Sequence, residues 1–236
     1  MSADVVQTVH DGIDADAFER RVVRRREQVR SELEIGAGVP VIGLVGNVRE
    51  WKGQEYLADA LHVLHRSLPD FVCLFIGAAT QEDAEFERRL RKKIADYGLS
   101  QKVIFTGYRS DIPDLVNALD VLVNASIRPD PFPHVILEGM ALGRVVVATN
   151  LGGAVESIAD GESGFLVPGD TPVILADRLH RVLVDPALRK SMEDRARRRV
   201  RELFSLQENV RKTTEIYASL LDRPPDETPG ARFDCL

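Results

Sequence analysis

The sequence predicts an α/β domain in which a parallel β-sheet is flanked by helices. Short apolar runs alternate with longer segments whose apolar residues recur at helical spacing, which is the order found in β-α-β units. The runs contain few polar residues, as expected for strands that are covered on both faces. The 236 residues are 44% hydrophobic, which is enough to fill a core of this kind.

The apolar runs predict strands at 39–46, 71–77, 102–106, 120–124, 144–149 and 164–167. Helical patterns predict helices near 53–67, 82–97, 110–118, 133–142, 153–159 and 172–184. The chain is therefore divided into a linker with one amphipathic helix (17–34) at 1–38, the α/β domain at 39–204, a last helix at 205–221 and a tail at 222–236. The tail carries too few apolar side chains to fold and is expected to be disordered.

The composition argues against several classes of protein. A net charge of -6 and a pI near 5.5 are unfavourable for a nucleic-acid binder that relies on overall positive charge. The two cysteines, Cys73 and Cys235, fit a reducing compartment better than a disulfide framework. No signal-peptide pattern opens the sequence and no apolar run approaches about 20 residues, so a cytoplasmic location is expected.

The predicted 17–34 helix has a basic face formed by six arginines, namely Arg20, Arg21, Arg24, Arg25, Arg26 and Arg30. Such a face is typical of a solvated helix whose arginines pair with neighbouring glutamates, here Glu19, Glu27 and Glu32. It is also compatible with a peripheral contact to acidic lipid. The sequence leaves both interpretations open and favours the solvated face.

The stretch 126–143 is the main candidate for a ligand site. A proline-rich loop that carries Asp130 leads from a buried strand into an apolar helix that carries Glu138. Glu138 is the only charge in its helical segment, and a carboxylate among apolar neighbours is costly unless something donates hydrogen bonds to it. Sugar hydroxyls are suitable donors. The alternative is that Asp130 caps the helix and Glu138 lies on its exposed side.

The start of this helix is a candidate phosphate site. Pro133 suits the first helical turn, where its missing N–H would have no partner. The N–H groups of the next three residues, His134, Val135 and Ile136, would then point outward and attract an anion at the positive end of the helix dipole.

Asp130 and Glu138 are separated by seven residues and are followed by the runs GMALGRVVVATNLGG and DGESGFLVPGD. This ordered series resembles the nucleotide-sugar-binding half of retaining glycosyltransferases of family 4, and the resemblance covers roughly residues 9–221. It implies a Rossmann-like domain, the C-terminal domain of the GT-B fold, that binds a nucleoside-diphosphate sugar without a metal or other cofactor. The sequence departs from the family at Asp130, where Glu is usual, and at Pro133, where Gly is usual.

The resemblance also assigns roles to single residues. Lys52 occupies the position of the family's diphosphate-binding lysine, Asn47 stands where the family has arginine, and Arg49 is expected to supply the missing cation. An ordinary surface charge is the alternative for Lys52 and Arg49. Glu138 is expected to bind the ribose. Asp130 and the backbone from Phe132 through Pro133 and His134 to Val135 are expected to hold the sugar. Lys52, Asp130 and Glu138 are the expected catalytic residues.

Three further features are ambiguous in the sequence. Tyr108 or Arg109 is expected to stack on the base or the ribose, although a helix cap at Ser110 or Asp111 explains the same loop equally well. The glycines at 152–153 allow close approach of a ligand or a tight turn. His10 lacks companions at metal spacing, and Glu156 resembles a family position that is expected to support the structure.

The metal-binding pattern Asp-x-Asp occurs at Asp14 and Asp16, but it lies in a turn before a basic helix rather than after a buried strand. No metal site is expected. The segment 11–14 resembles the linker that follows the acceptor domain in the family. Only a few residues precede it here, so the acceptor domain or a partner chain is expected to be missing and this chain alone to transfer poorly. The apolar side chains of the last helix would then be partly uncovered.

The sequence thus predicts the donor-binding domain of a retaining glycosyltransferase that transfers a hexosyl group to a glycan, lipid-linked or small-molecule acceptor. One alternative is a non-catalytic nucleotide-sugar-binding subunit that needs a partner. The other is a relative with the same architecture, such as a nucleotide-sugar epimerase.

Overall fold

Six parallel strands form one sheet in the computed structural model, which describes residues 6–221. The strands are β1 Val41–Val45, β2 Val72–Ile76, β3 Val103–Gly107, β4 Val121–Asn124, β5 Val145–Thr149 and β6 Gly164–Val167. Their order across the sheet is β3-β2-β1-β4-β5-β6, and every neighbouring pair is parallel. The predicted parallel α/β fold is confirmed, and each strand begins within two residues and ends within one residue of its predicted bounds.

Ten helices are described, namely α1 Ala15–Arg20, α2 Arg26–Glu32, α3 Gln54–Leu64, α4 Ala84–Asp96, α5 Ile112–Ala118, α6 His134–Ala141, α7 Ala154–Ser157, α8 Pro172–Val184, α9 Pro186–Leu203 and α10 Leu206–Leu221. Helices α3, α4 and α8 cover one face of the sheet, and α2, α5 and α6 cover the other. A short 3-10 turn, Glu50–Lys52, precedes α3.

The strands are apolar throughout because both of their faces are buried. On β5, Val145 and Val147 pack into the core on one side, whereas Val146 and Ala148 pack into the core on the other. All four side chains are fully buried. Burying a valine side chain contributes about 1.5 to 3 kcal/mol, so both faces of the strand stabilise the fold. The strands therefore lack the alternation of apolar and polar residues that a strand with one solvated face would show.

The chain reverses direction across the sheet at the boundary between β1 and β4. Strands β2 and β3 extend outward from one side of β1, and β4 to β6 extend from the other. In open parallel sheets the loops that leave the two central strands diverge there and form a crevice beyond the strands' carboxyl ends. The loops concerned are 46–53 and 125–133, so the topology places both predicted diphosphate and sugar segments at one crevice.

The predicted 17–34 helix is wrong, because the chain forms two short helices, α1 and α2, separated by an extended bend at 21–25. Asp114 causes the break. Its Oδ1 accepts from the backbone N–H groups of Val23 at 2.8 Å and Arg24 at 3.1 Å, and its Oδ2 accepts from Arg24 Nε at 2.9 Å. N–H groups that would continue a helix are used to satisfy a carboxylate from α5 instead.

Half of the predicted basic face is turned toward the domain. Arg26 and Arg30 bind the buried carboxylate of Asp120, which also accepts from the N–H of Val41 at 2.7 Å. Burial alone would raise the pKa of Asp120, but Arg26, the Val41 N–H and Arg30 together hold that pKa below its usual value. The exposed arginines of this segment are Arg20, Arg21 and Arg25.

The last helix, α10, has no buried residue. Val210, Tyr217 and Leu220 are each more than half exposed, as the sequence predicts, whereas Ile216 is half-buried. The predicted disordered tail lies outside the described residues. No helix among residues 6–221 combines the length and the apolar composition that crossing a membrane requires.

Candidate functional site

The two loops at the crevice are packed directly on one another. The N–H of Ile127 donates to the carbonyl of Trp51 at 2.9 Å. Gly53 has a φ of +73°, and a Cβ at this position would lie 1.8 Å from the carbonyl oxygen of Ala125. Only glycine fits both the backbone angle and the contact, so the sequence at 51–53 is adapted to bring the loops together.

Lys52 and Asp130 meet across the crevice. Lys52 Nζ lies 3.2 Å from Asp130 Oδ2, and each side chain is about one-fifth exposed. The ammonium also lies 4.1 Å from the centroid of the Trp51 ring. Asp130 therefore does not cap the following helix, since its carboxylate is directed to the lysine. An ammonium has three donors, so Lys52 can bind an anion in addition to one carboxylate.

The loop that carries Asp130 rests on the turn between β5 and α7. The N–H of Gly153 donates to the carbonyl of Asp130 at 2.9 Å. A Cβ on Gly152 would lie 2.1 Å from that same oxygen, and one on Gly153 would lie 2.3 Å from the carbonyl oxygen of Pro131. The two glycines thus permit close approach of the protein's own loop, and Gly152 has the positive φ, +56°, that glycine favours.

Helix α6 begins one residue later than the predicted start. Pro133 is the N-cap, with φ -72° and ψ 104°, and His134 is the first helical residue. The N–H of Ile136 donates to the carbonyl of Pro133 at 3.0 Å, so the prediction of three free N–H groups is wrong for Ile136. Those of His134 and Val135 have no main-chain partner among residues 6–221, and they remain available to an anion.

Glu138 is half-buried on α6, one turn beyond these N–H groups. Its carboxylate accepts no hydrogen bond from any residue between 6 and 221. Burial raises the pKa of Glu138, and the opposing charges of His134 and Arg21 offset this only in part. A partly desolvated carboxylate that receives no donor from these residues can accept hydrogen bonds from a hydroxylated ligand.

Two of the predicted diphosphate residues have protein partners. Arg49 Nη2 donates to Asp83 Oδ2 at 3.0 Å, while the Nε of the same guanidinium is buried without a partner among residues 6–221. Asn47 has an exposed side chain, and its main-chain carbonyl accepts from Gln54 Nε2 at 2.9 Å. Lys52 is thus the cation that the fold directs at Asp130, and Arg49 is held toward the loop that follows β2.

The loop after β3 separates the two candidate base-binding residues. Tyr108 is 82% exposed. Arg109 donates to Asp111 at 2.7 and 2.6 Å and to Glu32 at 3.0 Å. The hydrogen bond from Arg109 lowers the pKa of Asp111 to about 2. Asp111 precedes α5 without capping it through its side chain, so the flat face that is open to a ligand here is that of Tyr108.

Sequence reasoning missed a set of contacts that we call the linker clasp, formed by His10, Asp11, Phe132, His134 and Glu156. His10 Nε2 bonds Glu156 Oε2, and the His10 ring lies 5.6 Å from the ring of Phe132. Asp11 Oδ2 lies 3.0 Å from His134 Nε2. His10 and Glu156 are 146 positions apart, and no spacing rule connects residues at that distance.

The Asp-x-Asp pattern has a structural role in the fold. Asp14 Oδ1 accepts from the N–H of Ala17 at 2.8 Å and caps α1, and Asp16 pairs with Arg201 at 3.0 Å. Within residues 6–221 no three histidine, cysteine or carboxylate side chains are grouped in a way that could hold a metal ion.

Comparison with known proteins shows the family to which the chain belongs. The family model described as glycosyl transferases group 1 matches residues 25–199. The D-inositol 3-phosphate glycosyltransferase of Corynebacterium urealyticum is 31% identical over 231 residues, which are 96% of this chain and 54% of the relative. The lipopolysaccharide core biosynthesis mannosyltransferase LpsB of Rhizobium meliloti is 28% identical, over 92% of this chain and 62% of the relative. The chain thus spans little more than half the length of these relatives.

Solved structures give the same result. A glycosyltransferase from Rickettsia africae superposes with a TM-score of 0.87 and 30% identity, over 95% of this chain and 59% of that one. Anabaena HepE, solved in complex with UDP-glucose, superposes with a TM-score of 0.83 and 27% identity, over 92% of this chain and 58% of that one.

Proposed function

This chain belongs to the group 1 glycosyl transferases, and from that premise we propose that it is the donor-binding part of a retaining, metal-independent hexosyltransferase. The donor would be a nucleoside-diphosphate sugar. Anabaena HepE has been solved with such a donor, and this chain has the same fold. The observation that carries the proposal is the meeting of Lys52 and Asp130 at the crevice between β1 and β4.

The diphosphate would bind between Lys52 and the start of α6. A leaving nucleoside diphosphate carries several negative charges, which must be neutralised where they develop. Lys52 offers a cation, and the N–H groups of His134 and Val135 offer donors at the positive end of a helix dipole. Arg49 would have to release Asp83 to reach a phosphate, so we give it a secondary role.

The nucleoside would lie along α6 toward the loop that follows β3. Glu138 would accept hydrogen bonds from the ribose hydroxyls, which would satisfy a carboxylate that finds no donor among residues 6–221. Tyr108 would stack on the base, because its ring is exposed. The side chain of Arg109 is used by Asp111 and Glu32, which leaves its backbone as the group available to the base.

The sugar would be held by Asp130 and by the backbone from Phe132 to Val135. Asp130 lies beside Lys52 and would therefore face both the sugar and the anomeric carbon, where positive charge develops as the bond to phosphate breaks. In the proposed same-face displacement, which is one of the routes that retain the configuration at the anomeric carbon, the departing phosphate oxygen would take the proton of the acceptor hydroxyl. Positioning and charge neutralisation would supply the catalysis.

The acceptor is a glycan, a lipid-linked sugar or a small molecule, and we propose that a further domain or partner chain binds it. The exposed arginines of the 21–25 bend and its neighbours, Arg20, Arg21 and Arg25, are the proposed site of any peripheral membrane contact. The proposed compartment is the cytoplasm, where the buried free thiol of Cys73 would stay reduced.

Calorimetric titration tests the proposal. The chain would be titrated in EDTA with UDP, GDP and ADP, with their glucose or mannose conjugates, and with the free nucleosides as controls. Binding of one nucleoside diphosphate and its sugar conjugate, with much weaker binding of the nucleoside, is the expected result. Failure of all three series to bind would refute the proposed function.

A further inference from the structure

The segment from His10 to Ile13 is held in place by hydrogen bonds to residues 204–209. The N–H of Ile13 donates to the carbonyl of Phe204 at 2.9 Å, and the carbonyl of Ile13 accepts from the N–H of Leu206 at 3.1 Å. The side-chain amide of Asn209 donates to the carbonyl of His10 at 2.7 Å. His10 therefore has an ordered backbone, and its ring is presented from a defined position.

The ring of His10 lies in a cluster of three aromatic rings. Its centroid is 5.6 Å from Phe132 and 5.7 Å from Phe204, and the Phe132 and Phe204 rings are themselves 5.6 Å apart. These separations lie in the range of favourable aromatic pairs. The bond from His10 to Glu156 also ties the His10 ring to α7. Helix α7 is itself held in place, because its backbone accepts from Arg199 at 2.8 Å.

The loop around Phe132 needs such support because it has little of its own. Pro129, Pro131 and Pro133 have no N–H to donate. Within residues 6–221, the main chain of 128–133 makes a single hydrogen bond to another element. In that bond the Asp130 carbonyl accepts from the N–H of Gly153. The position of the loop thus depends on side chains, with Lys52 on Asp130 and the aromatic cluster on Phe132.

We propose that His10 is a positioning residue for the sugar side of the donor site: its ring holds Phe132, and thereby fixes the loop that carries Asp130. This inference rests on the proposed function only where it concerns the sugar. The structural part, that a residue of the linker fixes the 128–133 loop, stands without any ligand.

Four variants separate the ring contact from the other bonds of the linker clasp. His10→Ala and His10→Gln both remove the ring. His10→Phe keeps an aromatic ring and loses only the bond to Glu156. Asp11→Asn is the matched control, because it changes the neighbouring residue without touching the ring. It weakens the pair of Asp11 with His134, whose side chains are 60% and 53% exposed, respectively. A pair this exposed contributes little to stability.

The first measurement is hydrogen exchange by mass spectrometry without ligand. His10→Ala and His10→Gln should speed exchange of the Ile127 amide, in peptides that cover 126–136, and of the Gly153 amide, which donates to the Asp130 carbonyl. Exchange in peptides that cover 46–53 should stay unchanged. His10→Phe and Asp11→Asn should resemble the wild type. If His10→Ala does not fold, His10→Gln decides the outcome. Unchanged exchange at 126–136 in a folded ring-less variant, or an equal increase throughout the domain, would overturn the proposal.

The second measurement is affinity for a matched pair of ligands, UDP with UDP-glucose, GDP with GDP-mannose or ADP with ADP-glucose, whichever the wild type binds. The ring-less variants should raise the Kd of the nucleotide sugar roughly two- to tenfold and that of the nucleoside diphosphate less than about twofold. Equal losses for both ligands would exclude a role on the sugar side. If the wild type binds no pair, the proposed function fails, and the exchange result still decides whether His10 fixes the loop.

Discussion

The pair formed by Lys52 and Asp130 gives the sharpest test of the proposed site, because its two members are assigned to different parts of the donor. We expect Lys52→Ala to weaken nucleoside-diphosphate binding roughly ten- to hundredfold, since a hydrogen bond to a charged group contributes about 1.5 to 3 kcal/mol. The free nucleoside should change by less than about twofold. The loss is enlarged in this site because Asp130 would then face the diphosphate without a neutralising partner.

The opposite change is expected for Asp130→Asn. Lys52 Nζ and Asp130 Oδ2 are 3.2 Å apart, and Coulomb's law with an effective dielectric of 20 gives an upper bound of about 5 kcal/mol for such a pair. Solvent screening and side-chain entropy reduce pairs of this exposure to about 1 kcal/mol or less. Release of Lys52 should therefore tighten nucleoside-diphosphate binding roughly two- to fivefold, while the additional affinity supplied by the sugar should decrease.

In the assay, each single variant and the double variant are titrated with the nucleoside diphosphate, its sugar conjugate and the free nucleoside. Binding is monitored by calorimetry and by the fluorescence of Trp51, the single tryptophan. Lys102→Ala is the matched control. Like Lys52, Lys102 lies over an aromatic ring, 5.8 Å from that of Phe71, and near a carboxylate, 4.0 Å from that of Asp70. Lys102 precedes β3, however, so it lies at the amino ends of the strands, away from the crevice. Equal losses of diphosphate and nucleoside in Lys52→Ala, or a similar loss in Lys102→Ala, would refute the reasoning.

The remaining predictions concern Glu138, Asp120 and metal dependence. Glu138→Gln should weaken ribonucleotides more than 2′,3′-dideoxy analogues, and equal weakening of both in titrations would make Glu138 structural. Because burial raises the pKa of Glu138, its charged form is disfavoured in the fold, so Glu138→Gln should melt at the same or a higher temperature near pH 7, with the gain disappearing as pH falls below that raised pKa. Asp120→Asn should cost about 3 kcal/mol near pH 7 in urea unfolding, because it leaves Arg26 and Arg30 without their buried partner. Since the pKa of Asp120 is lowered, this difference should shrink as pH falls through that lowered pKa, and a pH-independent difference would contradict the account. Nucleotide binding should be unchanged in EDTA, and affinity that is lost in EDTA and restored by magnesium or manganese would contradict a metal-independent site.

The strands and the crevice were predictable from the sequence because their signals are local. Apolar runs such as 144–149 identify buried strands, and the alternation with helical segments implies parallel pairing. The carboxyl ends of β1 and β4 follow from that topology, so Lys52 and Asp130 could be placed at one edge before any coordinates. Their ion pair confirms the placement and not the chemistry.

The errors come from contacts between residues that are distant in sequence. The periodicity of 17–34 indicates one helix, but Asp114 lies 91 positions from Val23 and satisfies its N–H in a bend. The partner of Arg109 is equally distant, because the structure pairs its side chain with Glu32, 77 positions away, while its expected role beside the base or ribose stays a prediction. Helical spacing carries no information about such partners. The start of α6 was wrong by one residue because Pro133 fits the first turn and the N-cap almost equally well.

The closure of the linker onto the end of α9 has a consequence for the order of folding. Strands β1 and β2 pair across roughly 30 residues, whereas Asn209 and His10 are 199 positions apart. The entropy of closing the longer loop costs about 1.6 kcal/mol more, at roughly 0.6 kcal/mol per doubling of length. The sheet should therefore assemble first, and the segments 9–13 and 205–210 should dock afterwards. During native-state fluctuations they should also separate first, so that the two end segments of the domain come free together while the six strands stay paired.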